Sequence, residues 1–233
     1  MNKKALISVL VCSYNNSESI IDSIESLQIQ TYKNLEILLL DDKSSDDTKE
    51  KINYLSEKYE NIRPFFNEAN IGLTKSLNKL INYANGELIA RDDYHDISFP
   101  NRFEKQLTIL NEMNLDFCTS RAMIMNTKKL IPGLSYYLPV KQVMKFKNPF
   151  IHGTLLIKKS LLVEVGKYNE RYIYAQDYEL FSRLLKQNIQ FLMIKDPLYE
   201  LNMNGNISTL KKDEQAYYAK CVKKGLEPNG EQN

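Results

Sequence analysis

The chain of 233 residues has no tryptophan, two histidines and three cysteines, and it carries no surplus of either charge. Cys12, Cys118 and Cys221 are far apart, odd in number and without C-x-x-C spacing. That excludes a disulfide framework and a structural zinc centre, and it suits a reducing, cytoplasmic setting. Thirty-one basic residues against 29 acidic ones leave a formal charge of +2, too little for a nucleic-acid footprint. No apolar run approaches the roughly 18–20 residues of a membrane span. Lys3-Lys4 ahead of the run Ala5 to Cys12 imitates a leader, but the run is too short and lacks a small-residue cleavage site, so it reads as a first buried strand. Internal repeats and low-complexity tracts are also missing. The expectation is one compact domain in two halves, with 43 % apolar and 26 % charged residues.

Against this background one stretch stands out. Ala90-Arg91-Asp92-Asp93-Tyr94-His95-Asp96 places three carboxylates and a histidine directly after the apolar run Glu87 to Ala90. In open α/β sheets ligands sit outside the carboxyl ends of the strands, and crowded like charges need a partner such as a metal or a phosphate counter-ion system. The alternative is a solvated acidic turn ahead of the helix opening near Pro100.

The rest of the first half alternates short apolar runs with segments of helical period, as in a doubly wound sheet. Strands are expected at 6–12, 35–40, 62–66 and 87–91. Between them Ile20, Ile24 and Leu27, then Ile52, Leu55 and Tyr59, then Leu73, Leu77, Leu80 and Ile81 recur at helical spacing. Ser44-Ser45-Asp46-Asp47 supplies first-turn acids to the second helix, and Ser98-Phe99-Pro100 opens a fourth carrying Phe103, Leu107 and Leu110. The second half is less regular. It predicts a long loop over a cleft at 128–150, strands at 154–158 and 190–194, a helix at 177–188, and a charged tail with a short helix to Lys223 and mobile last residues. Lys211-Lys212 and Lys223-Lys224 are either solvated tail lysines or a weak membrane contact.

Four stretches, in order, resemble the family 2 glycosyltransferases, enzymes of the GT-A fold that move a sugar from a nucleotide diphosphate to an acceptor. These are Ile7 to Asn15; Leu40-Asp41-Asp42-Lys43-Ser44-Ser45-Asp46-Asp47-Thr48, similar to D-D-G-S-x-D-x-T with Lys43 in place of glycine; Asn70-Ile71-Gly72-Leu73 with Ser76-Leu77-Asn78; and Gly86 to Arg91 leading into the acids. The resemblance spans about the first 208 residues. It implies an α/β GT-A fold with a mostly parallel, Rossmann-like sheet and helices on both faces. Its domain is 1–210, with a nucleotide-sugar-binding half at 1–95 and an acceptor half at 96–210, followed by the tail 211–233.

The same resemblance implies roles. Ser13, Tyr14 and Asn15 would line the nucleotide turn, Tyr14 offering a flat face to uracil, and Asp41 and Asp42 would accept hydrogen bonds from base or ribose. Lys75 would approach base or diphosphate, or is a solvated helix lysine. The Asp-x-Asp metal motif falls on Asp93-Tyr94-His95, so that a histidine stands where a metal-binding aspartate is usual. Magnesium prefers oxygen ligands whereas manganese accepts imidazole, which implies Mn2+ over Mg2+ on Asp93 and His95. Tyr174-Ala175-Gln176-Asp177-Tyr178-Glu179-Leu180 resembles E-D-Y-x-L and places the catalytic base at Asp177. Gln176 replaces the family glutamate and removes a charge beside that base; Glu179 is expected to face solvent. His152, in Asn148-Pro149-Phe150-Ile151-His152, borders acceptor or diphosphate, or is structural. Near Tyr199-Glu200-Leu201-Asn202 the family's histidine is Asn202 or lost to an insertion. The implied activity is inverting transfer from a UDP-sugar to a glycan or lipid-linked saccharide of the cell surface, at the cytoplasmic side, with peripheral membrane contact open. The departures at Lys43, His95, Gln176 and Asn202 leave the alternative of a nucleotide-sugar-binding subunit without catalysis. A nucleotidyltransferase is excluded by the lack of glycine in Ser13 to Ser17.

Overall fold

The computed structural model describes residues 4–203 and 211–229. Four parallel strands build the first half: β1 (Ile7–Ser13), β2 (Leu35–Asp41), β3 (Ile62–Phe66) and β4 (Leu88–Arg91). Each is followed by a helix or turn that returns the chain over the sheet, namely α1 (Ile20–Gln28), α2 (Thr48–Lys58) and α3 (Leu73–Tyr83). All four expected strands and the first three helices are present. β4 runs into the acidic turn and the short β5 (Ile97–Ser98), then α4 (Arg102–Glu112). The second half holds β6 (Phe117–Ile124), β7 (Leu130–Ile131), α5 (Val140–Val143), β8 (Leu156–Lys158), α6 (Lys159–Glu164), α7 (Gln176–Leu184), β9 (Phe191–Leu201) and α8 (Lys212–Lys224).

The strands form a sheet ordered β3-β2-β1-β4-β8-β6-β9-β5, with β7 paired to β6. The expected parallel pairing holds from β3 to β4 and between β6 and β9, while β8 runs antiparallel to both β4 and β6. Alternation along the strands sends side chains to two cores. Ile7, Val9 and Val11 with Ile37 and Leu39 meet α1, α2 and α4 through Ile24, Leu55 and Phe103. Leu10 with Leu38 and Leu40 meets α3, α6 and α7 through Leu80, Leu162 and Phe181. Helices therefore cover both faces.

Three differences from the sequence reading have physical causes. β6 was not expected, because its middle reads Thr119-Ser120-Arg121 rather than as an apolar run, yet these residues are buried. The Ser120 amide donates to Thr154 Oγ1 (3.0 Å) and the Arg121 Nε to the Pro132 carbonyl (3.1 Å), which makes a polar strand tolerable inside the sheet. β9 runs on to Leu201 because its second part pairs with β5 and the end of β6. The 128–150 loop contains β7, a 3-10 turn at Leu134–Tyr137 and α5. The tail helix, expected to end at Lys223, packs Cys221 and Val222 with Tyr172, Ala175 and Tyr178. Asn206-Ile207-Ser208 of the family pattern and the last four residues lie outside the described residues. The three cysteines are free and buried.

The entry into β4 depends on a glycine. A Cβ on Gly86 would stand 2.5 Å from the Leu6 carbonyl oxygen and 2.7 Å from Ser8 Oγ. That close approach lets the Gly86 amide donate to Ser8 Oγ (2.8 Å), which in turn donates to Glu36 Oε1 (2.5 Å). Glu36 also accepts from the Asn85 amide (2.6 Å) and Arg63 Nη1 (2.8 Å). Burial alone would raise Glu36, but the bonds from Ser8, Asn85 and Arg63 outweigh it and hold the carboxyl below its ordinary range. The folded chain thus releases this proton more readily than the unfolded chain. Its stabilisation is present above the unfolded value and is lost as pH falls through the lower folded value. Glu36→Gln is therefore expected to lower the urea midpoint at pH 7 and to lessen the wild-type loss of stability below pH 4.5, read from denaturation curves at a series of pH values.

Candidate active site

The sheet changes direction of growth between β1 and β4, since the chain builds outward to β3 and then returns to the other side of β1. The crevice at the carboxyl ends of these strands is where α/β sheets bind ligands. The loops after β1 and β2 form one wall of it. The Asn15 amide donates to Ser44 Oγ (2.9 Å), and the Asn15 side-chain oxygen accepts from the Ser45 amide (2.7 Å). The Asn16 amide reaches Thr48 Oγ1 (3.2 Å) and the Ser17 amide Asp46 Oδ2 (3.1 Å). Tyr14 stands on this wall 46 % exposed, while Ser13 Oγ beneath it is buried without a partner.

Asp41 and Asp42 lie at the end of β2 and are both buried. Asp41 accepts from the Ser44 amide (3.1 Å) and from its hydroxyl. Asp42 takes Asn67 Nδ2 (2.7 Å) and the amides of Ile71 (3.0 Å) and Gly72 (2.8 Å), so its carboxylate shapes the loop that begins α3. Lys43, in the family's glycine position, has φ of 66°, the left-handed region that favours glycine. Lys75 is exposed on α3, whereas Lys79 points inward and donates to Asn67 (2.7 Å).

The acidic cluster divides. Asp92 points into the protein, fully buried, where Arg102 Nη1 (2.8 Å) and Ser98 Oγ (2.6 Å) donate to one oxygen and the Tyr199 hydroxyl to the other (3.2 Å). Burial pushes this carboxyl up to about 6 although Arg102 and Ser98 act against the rise. Asp96 is buried as well, accepting the Asn202 amide (2.7 Å); burial and the nearby Asp93 and Asp92 push it up to about 9, so it is protonated at neutral pH. Only Asp93 is left toward the crevice, its side chain 24 % exposed. Its amide donates to the Tyr199 hydroxyl (2.9 Å), its carbonyl accepts from Ser23 Oγ (3.1 Å), and one carboxylate oxygen pairs with the buried Arg91. Burial works to raise Asp93, but Arg91, His95 and His152 overturn it and hold the carboxyl below the usual range.

His95 sits beside Asp96, with 3.7 Å between Nε2 and Oδ1, too long for a hydrogen bond. Burial lowers its imidazole, while Asp93 pulls the other way. His95 Nδ1 is buried without a partner. No cluster of three His, Cys, Asp or Glu side chains suited to a metal occurs among the described residues. Divalent cations in phosphate chemistry are commonly held by one or two protein ligands and completed by substrate oxygens and water. The orphaned His95 nitrogen and the second oxygen of Asp93, which has no donor among the described residues, fit that arrangement.

Across the crevice, Asp177 stands in the first turn of α7, after Ala175 in the left-handed conformation (φ 54°). The helix N-terminus favours a carboxylate there. Asn148 Nδ2 donates to Asp177 Oδ2 (2.7 Å), leaving Oδ1 without a donor among the described residues. His152 Nε2 meets the Tyr168 hydroxyl (2.7 Å) in the space between the two halves. Burial and the charge of Arg91 push His152 down to about 4, while Asp177 and Asp93 pull it up, so both carboxylates act on this one ring. Gln176 is buried at the start of α7. Glu179, expected to face solvent, is instead buried: Arg183 Nε (2.6 Å) and Nη2 (2.8 Å) donate to it while also capping carbonyls at Val165 and Lys167. That ion pair ties α7 to the end of α6, and it is why this acid turns inward.

Arg91, Arg102, Tyr168 and Tyr199 are the participants that sequence reading missed. Arg91 at the end of an apolar strand was the available signal; the others are recognisable only once β9 and α4 are in place. Arg102 carries the most, since it holds Asp92, Ser98 and the Arg91 carbonyl (2.8 Å) together. Arg102→Met is expected to leave Asp92 as an uncompensated buried charge and to cost roughly 3–5 kcal/mol of stability. Adding Asp92→Asn should recover part of that loss in equilibrium denaturation.

Known proteins share this pattern. Residues 8–167 match the Glycosyl transferase family 2 profile. EpsE of Bacillus subtilis (strain 168), provisionally named as a glycosyltransferase, is 30 % identical over 206 residues, covering 86 % of this chain and 74 % of EpsE. WfgD of Escherichia coli, a UDP-Glc:alpha-D-GlcNAc-diphosphoundecaprenol beta-1,3-glucosyltransferase, is 30 % identical over 184 residues, covering 78 % of this chain and 71 % of WfgD. In fold, the chain is similar to the mannosyltransferase PcManGT from Pyrobaculum calidifontis, solved with GDP-Man and Mn2+, with a TM-score of 0.76 at 16 % identity over 97 % of this chain and 67 % of that one. A GT-A architecture accompanies these likenesses. The chain is a member of glycosyltransferase family 2.

Proposed function

We propose that this chain transfers a sugar from a UDP-sugar to a hydroxyl of a surface glycan or lipid-linked saccharide, with inversion, in one displacement. The observation that carries the reading is the His152–Tyr168 hydrogen bond (2.7 Å), a pair close enough to Asp93 and Asp177 to feel both carboxylates. In this reading donor and acceptor groups face one space. Asp177 takes the acceptor hydroxyl proton as that oxygen bonds to the anomeric carbon, and the bond from that carbon to the diphosphate oxygen breaks with its electron pair. The free Oδ1 beside an Asn148-anchored Oδ2 suits a base that must be held yet accessible.

Tyr14, Asn15 and Ser13 would receive the nucleotide, with Asp41 and Asp42 shaping the loop against it. Asp42 has so many amide donors that its part is to position the loop as much as to touch a ligand. Lys75, exposed at the start of α3, would reach the donor only from solvent. A divalent cation on Asp93 and His95 would neutralise the charge of the departing diphosphate. Manganese suits an imidazole ligand better than magnesium does. UDP is preferred over GDP because WfgD, whose name specifies UDP-Glc and a diphosphoundecaprenol-linked acceptor, is the nearer relative of the two whose donors are named. A bacterial surface polysaccharide or its lipid-linked precursor is the acceptor class that follows.

Asp177→Asn is expected to lower transfer about 100-fold or more while the thermal shift given by UDP-sugar stays unchanged. A variant with wild-type turnover would remove the assignment, and a wild-type chain that binds donor but neither transfers nor hydrolyses it would mark a non-catalytic subunit. In the presence of UDP, Mn2+ should raise the melting temperature of the wild-type chain and have little effect on His95→Ala. Equal Mn2+ shifts in both would place the cation elsewhere.

A further inference from the structure

No aspartate or glutamate occurs between Asp116 and Glu164, a long gap for a chain with 29 acids among 233 residues. Within the gap, Lys128, Lys129, Lys141, Lys145 and Lys147 are all exposed. Among them stand the three most exposed large apolar side chains of the described residues, Leu134 at 88 %, Phe146 at 74 % and Tyr137 at 65 %, together with Leu138 at 56 %. Apolar residues in this number on one short segment mark a surface that meets something.

The segment is anchored from below. Val143 is buried, Val140 and Met144 pack on the core beside α3 and α7, and Arg121 lies under the Tyr136 ring (5.2 Å). The Tyr136 hydroxyl donates to the Met193 carbonyl (3.3 Å), and the Tyr178 hydroxyl to that of Met144. Inward residues are thus committed to the fold, and Leu134, Tyr137, Leu138 and Phe146 are left over. Only Lys128 of the five lysines has an ion-pair partner among the described residues, Glu200 at 2.6 Å.

We infer that the segment 128–147 docks the protein on an anionic lipid bilayer. Apolar tips among uncompensated lysines match the boundary between acyl chains and acidic headgroups, where the aliphatic stems of lysine lie along apolar surface and the ammonium reaches phosphate. A second copy of the chain would bring the same lysines against each other, and a protein partner would have to supply acids to match them. The segment ends at Asn148, which holds Asp177. Docking here therefore places the proposed base next to the membrane surface, where a lipid-linked acceptor presents its sugar. Lipid binding stands apart from the transferase reading, and its test requires neither donor nor acceptor.

The full chain is mixed with vesicles of phosphatidylcholine alone or with 30 mol % phosphatidylglycerol, about a third anionic lipid, and bound protein is measured by flotation. Binding is expected only to the anionic vesicles and should fall with added salt. The variant Leu134→Ser/Phe146→Ser should weaken it by roughly 10-fold or more, and Lys141→Gln/Lys145→Gln/Lys147→Gln by roughly five-fold for each charge removed. Melting temperatures near wild type in both variants separate lost docking from lost folding. No flotation with anionic vesicles, or flotation unaffected by both variants, would overturn the inference. Self-association by light scattering that only the apolar variant abolishes, without vesicle binding, would overturn it in favour of a dimer contact.

Discussion

The arrangement of the crevice depends on the buried pair of Asp92 and Arg102. One guanidinium bonds the Asp92 carboxylate, the Ser98 hydroxyl, the Gln106 side chain and the Arg91 carbonyl, joining the end of β4, the end of β5 and the first two turns of α4. Tyr199 of β9 completes it from the far side, donating to Asp92 and accepting from the Asp93 amide. Gly153 permits this, because a Cβ there would lie 2.7 Å from the Tyr199 hydroxyl oxygen. A pair of this kind contributes less net stability than its Coulomb attraction suggests, since both ions lose their water. What it supplies is a defined geometry: with Asp92 locked inward, Asp93 is turned outward.

Beside this charged link the second half presents a neutral pair. His152 is held neutral by burial and by the fixed charge of Arg91, and Tyr168 is buried with its proton retained, so the two hydrogen-bonded groups add no net charge near Asp93 and Asp177. Asp93 keeps its charge through Arg91 and Asp96 gives up its own through burial. A run of acids that would repel one another in water is thereby reduced to one outward carboxylate beside an unsatisfied imidazole nitrogen. That selectivity in charge makes the turn suited to a cation and a diphosphate, where a solvated acidic turn would present all of its charges.

Legibility from sequence followed the strength of the periodic signal. β1 to β4 and the helices between them were readable because Val, Ile and Leu alternate or recur at helical spacing on segments with one buried face. The stretches Leu40 to Thr48 and Gly86 to Arg91 were readable as a family resemblance in order and spacing. β6 was not, because its buried Ser120 and Arg121 find partners outside the strand, on Thr154 and Pro132. Glu179 was misplaced for the same reason: an acid in a first helical turn looks solvated until Arg183 and the carbonyls it caps are brought to it.

The sequence by itself determined the layered α/β class, the strand ends proposed to carry the chemistry and the residue types available there, because these rest on local periodicity and on chain order. Only the tertiary structure decided which carboxylate of the acidic cluster is locked inward, that His152 lies within electrostatic reach of both Asp93 and Asp177, and that basic, apolar residues 128–147 are left uncovered. Those outcomes depend on burial and on charges brought together from distant parts of the chain, which no local pattern encodes.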